Sequence, residues 1–213
     1  MSCTLTGMFV MHPTKRLLID TVQSILKETT SEKLTIEEVL KTSNISRGSL
    51  YHHFADFSEL VEVAEIEEYS TLIEESILGL TAILKVSSSR DELVRLLREA
   101  TKRTQSLEAR PGRFKRIQIL SRSSSSERMS VAMGKEQARL TGALEGLYRE
   151  VLERGWGNSK LNPKAVGVFT QAYTVGKITN DFTEDPVDDT SWNNLVNAIL
   201  ETVIFPPKVI SEE

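Results

Sequence analysis

The stretch "LTIEEVLKTSNISRGSLYHHF", residues 34–54, decides the reading of this chain. Thr35 stands before an apolar-periodic run and Glu38 follows three residues later, the pattern of a capping box. The helix it opens is short, with Ile36, Val39 and Leu40 on one side. "SNIS" then breaks the pattern, and Asn44 is a residue that tolerates the left-handed backbone of a tight turn. Ser46 can cap a second short helix, "RGSLYHHF", in which Leu50 and Phe54 lie four apart and face inward with Leu18, Val22, Val39 and Ile45. Two short helices joined by a four-residue turn make a helix-turn-helix. A preceding helix from Pro13 supports it, with Leu17, Leu18, Thr21, Val22, Ile25 and Leu26 on one stripe.

The residue types on the second helix suit a nucleic-acid reader. Such a helix enters a major groove about 12 Å wide and presents its N-terminal residues to base edges. Arg47 supplies a fork that fits guanine O6 and N7. Gly48 leaves out a side chain where helix and DNA approach most closely; a helical glycine costs about 1 kcal/mol against alanine, so a steric reason is called for. Tyr51, His52 and His53 can donate to phosphate oxygens, which position the protein without reading sequence. The helix N-terminus favours anions as well. The adjacent histidines are no metal pair: neighbouring helical residues point about 100° apart, whereas a helical metal pair needs i,i+4 spacing.

The segment "LTIEEVLKTSNISRGSLYHHFADFSELV" resembles the DNA-binding signature of the TetR (TetR/AcrR) family of bacterial transcriptional regulators, through Thr35, Ile45, Ser46, Arg47, Gly48, Ser49, Leu50, Tyr51, His53, Phe54 and Leu60. The detailed match spans residues 14–62; beyond it the similarity is one of architecture. The resemblance implies DNA contacts from Thr35, Ser46, Arg47, Gly48, Ser49, Tyr51, His52 and His53. Two positions depart from the pattern: Asn44 replaces the usual turn glycine, and Phe57 stands where a phosphate-reaching lysine is frequent. Losing that lysine removes a phosphate contact and lowers the salt dependence of binding.

The rest of the chain reads as helix throughout, giving an all-α class with about nine helices and no alternating strand pattern. Asp56 or Ser58 caps a long fourth helix carrying Ile66, Tyr69, Ile73, Ile77, Leu80 and Leu84 on one face. Further helices run from Asp91 to about Gln105, through 129–155 up to Gly155, from Pro163 to about Phe182, and from Thr190 to Phe205, with "RPG" at 110–112 as a break. The expected organisation is a loose tail over 1–12, a helix-turn-helix domain over 13–58, and an effector-binding and dimerisation domain over 59–213.

Composition limits the alternatives. Of 213 residues, 39% are hydrophobic and 26% charged, ordinary for a globular chain, and the net charge of -4 excludes a basic nucleic-acid coat. One cysteine, Cys3, cannot form an internal disulfide, and no apolar run spans a membrane, so a cytoplasmic protein without membrane contact is expected. No cofactor motif and no nucleophile–base or metal constellation occurs: the serines at 123–126 lack any GxSxG or SxxK context, and no enzymatic activity is expected. Seven basic residues against one acid over 102–122 suit a solvated face of two helices better than an anion site.

Phe114, Ile117, Leu120, Met129, Met133, Leu144 and Tyr148 are candidates to line a ligand pocket, and the same spacing serves plain core. Val168, Phe169, Ala172, Val175 and Gly176 on one helix, with Trp192, Leu195, Val196 and Ile199 on the next, suit an antiparallel hairpin whose pairing across two subunits gives a four-helix interface. With the resemblance, these features imply a homodimeric repressor, released from a palindromic double-stranded DNA operator by a small-molecule effector. The rival reading is a small-molecule-binding helical protein, or an enzyme borrowing the fold, with a vestigial helix-turn-helix.

Overall fold

The computed structural model describes residues 11–124 and 126–207; Cys3 and most of the expected tail lie outside them. Among these residues there is helix and no strand. The helices are α1 (Pro13–Ile25), α2 (Ile36–Ser43), α3 (Arg47–His53), α4 (Phe57–Val86), α5 (Arg90–Gln105), α6 (Arg110–Ser121), α7 (Glu127–Glu153), α8 (Pro163–Gly176), α9 (Ile178–Asp181) and α10 (Asp189–Ile199). The chain divides into two compact units, the first ending at Glu68 and the second beginning at Tyr69, both within the span of α4.

The first unit is built as its sequence dictates. Thr35 Oγ1 accepts from Glu38 N at 3.3 Å and Ser46 Oγ from Ser49 N at 3.2 Å, so both short helices are capped. Between them Asn44 takes φ 55° and ψ 30°, the left-handed turn. Asp56, rather than Ser58, caps α4, its Oδ1 accepting from Glu59 N at 2.7 Å. The core gathers Leu18, Ile19, Val22, Val39, Leu50 and Phe54 with Leu60, Val61 and Ala64 of α4, which carries this unit past residue 58.

The second unit packs α7 closely on α8. A Cβ at Gly167 of α8 would stand 3.1 Å from Leu144 Cβ and 3.4 Å from Thr141 O, so the two helices approach to a distance that only glycine permits without adjustment. Its core joins Leu84, Leu93 and Val94 to Tyr148, Val151, Val196, Leu200 and Phe205.

Three helix boundaries differ from the expectation, each for a polar reason. "RPG" is a beginning and not a break: Arg110 and Pro111 open α6, where proline lacks only an N–H that would go unpaired anyway. The helix from Pro163 is interrupted at Lys177, because Gln105 Nε2 donates at 3.1 Å to Thr174 O, the carbonyl that an unbroken helix would offer to Ile178. The last helix leaves the α form at Leu200, and Leu200–Ile204 is a π-helical turn closed by Phe205 N on Leu200 O at 2.8 Å. Its freed carbonyls find partners: Arg90 donates to Glu201 O at 3.0 Å and to Phe205 O, and Asn158 Nδ2 donates to Val203 O at 3.0 Å.

A buried polar cluster ties α5, α6, α8, α9 and α10 together. Arg113 and Asp181, with side chains 5% and 6% exposed, form a two-pronged ion pair at 2.9–3.0 Å. Arg113 Nη1 also donates to Thr104 O and Ser106 O, at 3.1 and 2.9 Å. Gln105 is fully buried and accepts from Trp192 Nε1 at 3.1 Å, while Lys177 Nζ reaches Gln105 O and Asp189. Breaking one partner of such a pair strands a buried charge, at a cost of about 3–5 kcal/mol. Urea unfolding of Arg113→Met should show a loss of that order, and Arg113→Met with Asp181→Leu should recover most of it; a single-variant loss below about 1 kcal/mol would contradict this account.

Candidate nucleic-acid interface and internal cavity

The orientation of α3 follows from its core contacts. Leu50 is fully buried and Phe54 2% exposed, which turns the opposite side of the helix to solvent. Ser46, Arg47, Gly48, Tyr51 and His52 are exposed there, with Ser49 and His53 half-buried at its edges. Thr35 is exposed at the start of α2. All eight residues singled out in the sequence thus belong to one small unit, six of them open to solvent.

Local chemistry is specific. Arg47 Nη2 meets Glu37 Oε1 at 2.7 Å, both side chains being exposed. Glu37 is held below its ordinary carboxylate range, first by a hydrogen bond from its own backbone and then by Arg47. A Cβ at Gly48 would meet nothing within 4 Å of the chain, so no internal packing requires this glycine.

Two residues of this edge were not singled out in the sequence. His12 caps α1, its Nδ1 accepting from Thr14 N at 3.2 Å, and its ring lies 4.6 Å from that of His53, which lies 5.0 Å from that of His52. Lys15 Nζ sits 5.0 Å from the Phe54 ring centre. The signal was faint, because His12 lies some forty residues from His53 and joins it only through the packing of α1 on α3. No group of three or more His, Cys, Asp or Glu side chains among the described residues is placed to hold a metal ion. Phe57, at the position where lysine is frequent, packs partly buried against the first core.

The second unit contains a cavity of about 440 Å³ between α4, α5, α6, α7 and α8. Leu72, Leu80, Ile83, Leu97, Leu140 and Leu144 supply apolar wall, and Arg103, Arg113, Arg116 and Glu75 are its charged residues. Of the seven pocket candidates, Leu144 lines it. Leu144 and Tyr148 line a smaller void of about 90 Å³, and Tyr148 is also structural, its hydroxyl meeting Ile204 O at 3.0 Å and accepting from Asn158 N at 3.1 Å. Met129 and Met133 are closed into packing, and Phe114, Ile117 and Leu120 are half-buried away from the cavity. The reason is the rotation of α6, which offers the cavity Ala109, Gly112, Arg113 and Arg116, while Phe114 stacks 4.8 Å from Phe182.

On the expected subunit face, Val168 is 51% and Leu195 57% exposed, and Ala172 and Gly176 are open to solvent. Val175 is half-buried and lines the cavity. Val196 is turned inward at 2% exposure, with Trp192, Ile199 and Phe169 packed against the same core; Val196 is committed within its own subunit.

The histidine cluster makes a prediction. Burial first, and then the charges of His12, His52 and Lys15, push the His53 imidazole below its ordinary value of 6.5. The folded chain therefore binds this proton less readily than the unfolded chain. Its contribution to stability is full above the ordinary imidazole range and is lost as pH falls through the depressed value. An NMR titration should place the His53 midpoint below 6.5, and Lys15→Gln should raise it; a midpoint at or above 6.5 would contradict the packing described. Gly48→Ala should raise the stability of the free protein by up to about 1 kcal/mol in urea unfolding, since nothing obstructs the added methyl.

No protein-family model and no curated protein matches the chain. Solved structures do. NemR of E. coli, in its reduced form, is 18% identical, covers 93% of this chain and 100% of its own, and superposes with a TM-score of 0.67. A TetR-family transcriptional regulator from Cytophaga hutchinsonii is 12% identical over 92% of this chain and 96% of its own, also at 0.67. A protein from Saccharomonospora viridis described as a transcriptional regulator, solved in complex with choline, is 13% identical over 91% and 98%, again at 0.67. At such identities the likeness is one of fold, and it extends over nearly the whole chain: the fold is that of the TetR-family regulators.

Proposed function

We propose that this chain is a ligand-responsive, DNA-binding transcriptional regulator of the TetR type, acting as a homodimer and most simply as a repressor. One observation carries the reading: a capped, core-locked α3 exposes Arg47, Gly48, Tyr51 and His52 together on a unit joined to a cavity-bearing helical unit. Neither half alone argues for a switch; their union in one chain does.

In this reading α3 lies in the major groove. Arg47 exchanges Glu37 for a guanine edge, and Gly48 admits the backbone close to the bases. Tyr51, His52 and His53 donate to phosphates, with Ser46, Ser49 and Thr35 beside the helix starts. His12 and Lys15 add to the same cationic edge. Two subunits pairing through the exposed stripe of α8 and α10 would set two reading helices in successive grooves, about 34–36 Å apart, on a near-palindromic site. An effector in the cavity acts by binding one conformer better than the other, which is all that release requires.

Fluorescence anisotropy with the DNA upstream of the chain's own gene, at fixed salt, tests this. Arg47→Ala should lose about 1–3 kcal/mol of discrimination between the operator and unrelated DNA. Tyr51→Ala should weaken binding to both alike. Affinity should rise as pH falls towards the depressed His53 range, because a phosphate favours the protonated imidazole of His53. No specific binding, or binding indifferent to both substitutions, would leave the rival reading of a small-molecule-binding protein with a vestigial reading head.

A further inference from the structure

We infer that the cavity of the second unit takes a monoanionic amphipath, a carboxylate on an apolar body, with Arg116 as the residue that selects its charge; this rests on the reading of the cavity as the effector site. The charge balance of the wall is the first argument. Arg113 is neutralised by Asp181, and Arg103 and Glu75 are both exposed and opposite in sign. Arg116 is half-buried, and among the described residues its hydrogen bond is to a neutral group, from Nη2 to Ser76 Oγ at 3.2 Å. No carboxylate pairs with it among the described residues. Arg116 is thus the cation left over on a mostly apolar wall.

The donor count is the second argument. Ser76 Oγ gives its proton to Leu72 O, Thr104 Oγ1 to Ala100 O, Thr170 Oγ1 to Val166 O and Thr174 Oγ1 to Thr170 O. Gln171 Nε2 is engaged by Thr141 Oγ1 and Gly167 O. These four hydroxyls thus donate to backbone carbonyls and not into the cavity, and the Arg116 guanidinium retains N–H groups for an acceptor there. A carboxylate fits that fork in shape and charge.

Space is the third. Gly112 lies one turn before Arg116 on α6, and Gly79 one turn after Ser76 on α4, both on the cavity wall. A Cβ at either would meet nothing within 4 Å. Glycine within a helix is unfavourable by roughly 0.5–1 kcal/mol against alanine, so two of them beside the Arg116–Ser76 contact leave room for a head group at a cost in helix stability. The body of the ligand would then lie against Leu80, Ile83, Leu97 and Leu144.

Titration of the whole protein with octanoate, octan-1-ol and octylammonium, and with the acid, alcohol and amine of the 3-phenylpropyl series, tests this by tryptophan fluorescence and melting temperature. The carboxylates should bind at least about tenfold tighter than the alcohols and amines, as a charge-assisted pair with the half-buried Arg116 guanidinium requires. Arg116→Gln should erase that advantage and leave the alcohols unchanged; Arg116→Lys should keep part of it; Arg103→Gln should leave it intact. An amine binding best, no difference among the three classes, no binding by any of the six, or an advantage that survives Arg116→Gln would each overturn the inference. Anisotropy on operator DNA separates it from the function: carboxylates that bind through Arg116 without releasing DNA uphold the ligand class and defeat the effector reading. DNA released by ligands indifferent to Arg116 does the reverse.

Discussion

Leu50 and Phe54 stand four residues apart on α3, and both are closed to solvent. The helix cannot rotate about its axis without exposing one of them, and each is worth roughly 1.5–3 kcal/mol when buried. That constraint settles which side chains the first unit presents. Arg47, Gly48, Tyr51 and His52 face outward because the inward positions are taken, and the left-handed turn at Asn44 places Ser46 to cap the helix at its start. Packing of α1 then brings His12 and Lys15 to the same edge. The exposed face of α3 is the remainder left by a small core.

The second unit solves a different problem, how to keep a cavity open. Close packing tends to eliminate voids. Here α7 and α8 touch at Gly167, while Arg113–Asp181 and the Gln105–Trp192–Lys177 cluster brace the ends of α5, α6, α8, α9 and α10. These buried polar groups have fixed geometry, and a wall held by directional contacts resists collapse better than one of interchangeable leucines. Polar side chains likewise explain where sequence periodicity failed. Gln105 interrupts the helix from Pro163, and Arg90 and Asn158 serve the carbonyls of the π turn at Leu200–Ile204.

The all-α class, the capped short helices, the Asn44 turn and the inward pair Leu50–Phe54 were legible because each rests on local spacing. The cavity was not. Apolar residues of α6 and α7 such as Phe114, Ile117 and Met133 are natural candidates to line a pocket, but the face that α6 turns inward carries Gly112, Arg113 and Arg116. A helix's rotation about its axis is decided by partners distant in sequence: Asp181 holds Arg113 from 68 residues away. His12 was missed for the same reason. On α10, Val196 and Leu195 share an apolar run, and only tertiary packing shows that one is core and the other surface.

In the proposed function, α3 reads bases through Arg47. A footprint on the operator should show two protected half-sites about one helical turn apart. Replacing the guanines of one half-site by 7-deazaguanine, which lacks the N7 acceptor, tests the contact itself. The wild-type protein should lose affinity for the modified half-site, and Arg47→Ala should be insensitive to the change. Equal loss in both proteins, or none in the wild type, would contradict the assignment.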